Sequence, residues 1–155
     1  MWVTAYDVAQ RFTGTTEVSG RAANPQIMSM LKLDAKWPDD DEVPWCSGFV
    51  NYVCWILRLP RSKSLRARSW LLVGRPITLD EARPGFDIVV LNRGGPDDPN
   101  VIDAPGHVGF YAGEDAHGLI LLGGNQSDTV KLSHYAKKDV LGVRRLVLEM
   151  EDRAP

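Results

Sequence analysis

The stretch Trp45-Cys46-Ser47-Gly48-Phe49-Val50-Asn51-Tyr52-Val53-Cys54-Trp55-Ile56-Leu57 decides the fold. Its apolar positions Cys46, Phe49, Val50, Val53, Cys54 and Leu57 recur at spacings of three and four, which places them on one buried stripe of a helix. Pro44 ends the segment before it and Pro60 stops it, so the spacing predicts a helix over 45–59. Cys46 then lies in the first turn of that helix and also on its buried side.

Upstream, Thr4 followed by Asp7 is a capping pair that predicts a short helix through Phe12. Asn24-Pro25 supplies an N-cap and a first helical residue for a second helix through Leu33, with Ile27, Met28 and Leu31 on one side. The polar connection 37–42 joins it to the central helix. Downstream, a short helix is expected over 65–73, with Gly74 as its cap. Past Pro84-Gly85 the pattern changes to strands, expected at 86–92, 107–112, 119–123, 129–133 and 141–149, with Gly94-Gly95-Pro96, Gly113, Gly118 and Asp128 in the breaks. Helices first and a largely antiparallel sheet second make an α+β fold. A chain of 155 residues, 44% hydrophobic and 25% charged, suits one domain, taken as 1–150 with a tail at 151–155.

The net charge of -2 lacks the basic excess of a protein that neutralises phosphates, so no nucleic-acid partner is expected. No apolar run approaches about 18 residues, and the N-terminal residues have no basic segment followed by an apolar one. The expectation is a monomer made in the cytoplasm without a signal peptide, with no stable membrane insertion. Cys46 and Cys54 sit roughly 12 Å apart along one helix, too far to bridge, so both are expected as free thiols.

A cysteine in the first turn of a helix meets unpaired backbone N–H groups and the positive end of the dipole, which favour a thiolate and can hold an oxyanion. Cys54, two turns deeper, reads as a small buried hydrophobe. His107, in Gly106-His107-Val108-Gly109-Phe110-Tyr111, opens a strand with glycines on either side that leave room for another group, as a general base requires. His117 and His134 fall in a turn and a polar region and read as surface residues. The base also needs an orienting acceptor. Asn125 in Gly123-Gly124-Asn125-Gln126 is the first candidate and Gln126 the second, the alternative being a turn in which Asn125 only adopts a left-handed backbone. No paired Cys or His motif suggests zinc, the acidic run 39–42 is a weak calcium candidate, and neither a metal nor a cofactor is expected.

Together Trp45-Cys46-Ser47-Gly48-Phe49-Val50-Asn51, Ala67-Arg68-Ser69-Trp70, Pro84-Gly85-Phe86-Asp87-Ile88-Val89-Val90, Gly106-His107-Val108-Gly109-Phe110-Tyr111 and Leu122-Gly123-Gly124-Asn125-Gln126 resemble the NlpC-like and CHAP superfamily of cell-wall amidases and endopeptidases. Glu17-x-x-Gly20 and Asn24-Pro25 are similar as well, so the resemblance runs from about Gly14 to Arg144. It implies a papain-like core and peptidoglycan as the partner. Cys46 becomes the nucleophile, His107 the base and Asn125 the third member. Many CHAP domains carry a glutamate two residues before the asparagine, where this chain has Gly123. Trp45, Trp70 and Tyr111 are candidates to line the substrate groove, with core or rim packing as the alternative for such large aromatics, and Glu17 would bind an amine of the peptide stem. The setting implied is a phage endolysin released to the wall by a holin, with a bacterial toxin delivered by a secretion system as the other. The alternatives are a non-catalytic wall-binding or phage-tail module of the same fold, and an amidase or acyltransferase on other substrates.

Overall fold

A computed structural model of the chain describes residues 3–18, 24–33 and 44–147. The acidic run 39–42, residues 148–149 of the last expected strand and the tail 151–155 lie outside the described residues. Three helices precede a six-stranded sheet, the α+β arrangement expected. The helices are α1 (Ala5–Gln10), α2 (Pro25–Leu31) and α3 (Cys46–Leu57). The strands are β1 (Arg75–Ile77), β2 (Asp87–Asn92), β3 (Gly106–Asp115), β4 (Gly118–Gln126), β5 (Thr129–Tyr135) and β6 (Val140–Arg145). All neighbours are antiparallel, in the order β1-β6-β2-β3-β4-β5.

The first two helices start where their capping chemistry lies. Thr4 and Asp7 form a reciprocal capping box on α1, and the Asn24 side chain accepts from the Gln26 N–H ahead of Pro25 in α2. The central helix ends at Arg58, whose backbone is left-handed at φ 57. The expected helix at 65–73 is instead a 3₁₀ segment, Ala67–Leu72. Its buried residues run consecutively from Ala67 to Leu71, so it has no single apolar stripe on which an α-helix could pack.

Period-two alternation sorts the sheet into two cores. Ile88, Val90, Val108, Phe110 and Leu122 face the helices and pack with Phe49, Val50 and Val53 of α3. On the opposite face Val89, Leu91, Tyr111, Leu119, Leu121 and Val143 form a second cluster. β2 and β3 are therefore covered on both sides and read as nearly continuous apolar runs. Phe49 makes edge-to-face contacts with Phe12 at 6.1 Å and Phe110 at 6.0 Å, tying the turn after α1, α3 and β3 together. Arg145 grips the buried Asp87 carboxylate with two bonds of 2.8 Å and so fastens β6 to β2.

The start of α3 is held against β4 by a close approach that only glycine permits. A Cβ on Gly124 would lie 2.6 Å from the Trp45 ring, well inside contact distance. Among the described residues no helix is long and apolar enough to cross a membrane.

Candidate active site

Cys46 is the first residue of α3, and its N-cap Trp45 makes no side-chain capping bond. The helix-start amides therefore stay available, and the N–H groups of Val108, Ser47 and Cys46 itself lie near the sulfur and favour its ionised form. Burial works against them and is the larger effect. With the residue 4% exposed, the thiol is pushed up from its ordinary value. The thiolate expected from helix position alone is thus not the resting form; loss of water around the sulfur outweighs three oriented amides. Cys54 is fully buried two turns deeper, and its thiol is pushed up by the same cause.

The Val108 amide, one residue on from His107, lies near enough to Cys46 to favour the ionised sulfur, so α3 and the start of β3 bring the two sequence-predicted residues into one neighbourhood. The imidazole is 3% exposed and burial pushes it down to about 4, against the raising effect of a bond to Gln126 and with a further lowering by Arg93. At neutral pH it carries no charge. Thiol and imidazole are not hydrogen-bonded to each other, and His107 Nδ1 has no partner among the described residues.

The acceptor that orients the ring is Gln126, and this corrects the expectation for Asn125. His107 Nε2 and Gln126 Oε1 are 2.9 Å apart. The amide nitrogen of Gln126 donates to Leu121 O at 3.3 Å and to Lys131 O, and carbonyl oxygens can only accept. Its oxygen must then face the ring. Tyr135 O–H donates to the same oxygen at 2.9 Å and its ring stacks on the imidazole with centroids 5.2 Å apart. Since Oε1 has no proton to give, His107 Nε2 carries one and Nδ1 keeps its lone pair as a base. Asn125 adopts φ 58, the left-handed turn named as its alternative, and borders the cavities beside the site.

The three aromatic residues expected in the groove are core residues. Trp45 and Trp70 are fully buried in the core between the helices and the sheet, and Tyr111 is nearly so in the cluster on the opposite face of the sheet. Their polar ends are satisfied inside: Trp45 Nε1 donates to Glu17 Oε1 at 2.6 Å, Trp70 Nε1 to Ser47 Oγ at 2.9 Å and Tyr111 O–H to Glu114 Oε1 at 3.4 Å. Glu17 is thereby tied to the residue before Cys46. His117 and His134 lie on the surface, the latter 2.8 Å from Asp115.

Arg68 is a residue whose part the sequence reading missed. Its fully buried guanidinium donates to the carbonyl oxygens of Pro105 (3.0 Å), Pro96 (2.9 Å), Asp98 (3.3 Å) and Val101 (3.3 Å) and to Asn92 Oδ1 (2.8 Å). Five neutral oxygens hold the one cation, and in return it shapes the 93–105 loop beside Cys46. The space left by Gly106, expected to admit a reacting group, is taken by Arg68, whose Cγ would stand 3.0 Å from an added Cβ. The run Ala67-Arg68-Ser69-Trp70 is the available signal, but alternation and spacing cannot say that a charged side chain points inward.

No protein-family model and no curated protein sequence matches the chain. Among solved structures it is similar to NlpC1 from Trichomonas vaginalis, with a TM-score of 0.55 and 21% identity over 92% of this chain. The fold is NlpC-like. The match spans 42% of that chain, less than half of its length. In this fold the two cavities flanking the site take on meaning. One of about 480 Å³ is bordered by Cys46, Arg66, Asp103, Pro105 and Gly106. The other, about 370 Å³, is bordered by His107, Gln126, Tyr135 and Asp139.

Proposed function

We propose that this chain is a cysteine hydrolase that cleaves an amide bond in the peptide stem of peptidoglycan. The observation that carries the reading is the approach of α3 to β3: a helix-start thiol near the Val108 amide, with the residue before Val108 an imidazole whose Nδ1 lone pair is fixed by Gln126. The NlpC-like fold and the resemblance of the motifs to cell-wall amidases and endopeptidases support the substrate class. A phage endolysin remains the setting this reading implies.

In the proposed reaction the thiol turns to His107 Nδ1 as substrate closes the site, since pairs of this kind often tighten only in the complex. The proton passes to Nδ1 and the sulfur attacks the amide carbonyl, whose oxygen becomes an anion held by backbone N–H groups near the helix start. His107 returns the proton to the departing nitrogen and the C–N bond breaks, leaving a thioester. Water, deprotonated by the same Nδ1, then hydrolyses the thioester and restores the thiol.

Zymography on purified sacculi tests the reading: the wild type should clear the gel and Cys46→Ala should not. Clearing by Cys46→Ala equal to wild type would remove the nucleophile assignment. A second reading, a wall-binding module without turnover, is favoured by the buried, unbonded state of the two groups; wild-type protein that binds sacculi and releases no new amine would establish it.

A further inference from the structure

Among the described residues, Arg93 and Asn125 border both cavities that flank the site, and Arg93 is the charged member. It stands where the loop leaves β2, beyond Asn92, and its backbone N–H bonds to Pro105 O at 3.4 Å. Its guanidinium makes no hydrogen bond or ion pair with any described residue. The other arginines around the sheet differ: Arg68, Arg144 and Arg145 all spend their donors on carbonyl or carboxylate oxygens. Asp103 borders one cavity and Asp139 the other, yet neither is paired with Arg93.

The positive charge reaches the reacting groups. It favours the ionised Cys46, disfavours protonated His107 and favours ionised Tyr135. An unpartnered guanidinium on the same cavity as a buried imidazole weakens the base while the site is empty. A carboxylate seated on Arg93 would cancel that field, so occupancy and basicity rise together.

We infer that Arg93 is the carboxylate-recognition residue of this cleft, binding an acidic group of the substrate that lies beside the scissile amide. The planar fork of donors suits a carboxylate in two-bond geometry, and its place between the cavities lets it fix how a chain crosses Cys46. The inference takes its substrate class from the proposed hydrolase reading; the anion site itself does not require turnover. Peptide stems offer two sources of this chemistry, the free α-carboxylate of a γ-linked glutamate and the C-terminal carboxylate.

The test is binding to full-length Cys46→Ala protein by titration calorimetry with three synthetic stems. One is L-Ala-γ-D-Glu-L-Lys-D-Ala-D-Ala; the second carries a carboxamide at the glutamate α-position; the third carries it at the C-terminus. One of the two neutralised stems should bind about tenfold or more weakly than the parent, and which one identifies the source. Adding Arg93→Ala should weaken the parent by a similar factor and erase the difference between the stems, while Arg93→Lys restores part of it. The melting temperature should stay unchanged, because the side chain makes no internal bond. The inference is overturned if all three stems bind alike, if Arg93→Ala weakens all three equally, or if the parent does not bind at millimolar concentration. Carboxylate preference that depends on Arg93 in a protein that fails to clear sacculi would sink the hydrolase reading and leave the anion site standing; clearing without that preference would do the reverse.

Discussion

Acid should unfold this protein partly through one imidazole. Burial pushes His107 down from 6.5 to about 4, so the folded state keeps the ring neutral where an unfolded chain would protonate it. Between those values the unfolded state holds more protons, and stability rises with pH. The contribution is fully present above pH 6.5 and is lost as pH falls towards 4. At about 1.4 kcal/mol per pH unit across that gap, His107 alone costs the fold about 3 kcal/mol on going from pH 7 to pH 4. That is a large part of the stability of a small domain, typically about 5–15 kcal/mol. Urea unfolding at pH 7, 5.5 and 4 measures it. Carboxylates titrate over the same range, so the quantity of interest is the difference between wild type and His107→Gln, which removes the titrating ring. Wild type should lose about 3 kcal/mol more than the variant. Equal acid losses in the two proteins would refute the reasoning, because they would mean that the folded ring takes up its proton as freely as the unfolded one.

The raised Cys46 thiol gives a second outcome: in a Cys54→Ala background, alkylation by iodoacetamide should speed up about tenfold per pH unit from 7 to 9, as expected of a neutral thiol. A flat rate from pH 5 to 8 would show a resting ion pair instead. Arg68→Met should destabilise the fold by roughly 2–4 kcal/mol, read from thermal or urea unfolding, since it removes every bond that this fully buried side chain makes to the 96–105 loop and to Asn92. Arg68→Lys should recover little of this, because one ammonium cannot span five acceptors.

Where a physical signal is local, the sequence discloses the structure well. The three-and-four spacing from Cys46 to Leu57 and the caps at Thr4 and Asn24 reappear within a residue or two. The five expected strands are all present, because turn residues bound them. β1 was not expected: three residues with Pro76 at the centre and mostly exposed carry no alternation, and pairing with β6 alone makes them a strand. Arg68 was invisible for a related reason. Its five bonds reach residues 24 to 37 positions away, and no local rule anticipates a cation held entirely by neutral oxygens.

The site shows how one backbone irregularity defeats a sound pattern argument. Tyr111 pairs with Leu121 and Phe110 with Leu122. Continued without a break, that register sets residue 125 opposite His107 and on its face of the sheet, which is the placement that makes Asn125 the natural acceptor. The pairing of β4 with β5 shifts between Gly123 and Gln126, and Asn125 turns left-handed there. One extra residue in the strand reverses which side chain points to which face. Gln126 therefore takes the inward position, and its longer side chain reaches the imidazole while its amide nitrogen remains bound to Leu121 O and Lys131 O. Asn125 is turned out to the border of the two cavities, which Arg93 also lines. The order Asn-Gln in the chain thus assigns the shorter amide to the cavity border and the longer one to the imidazole, an exchange set by the phase of the strand and hidden from residue types alone.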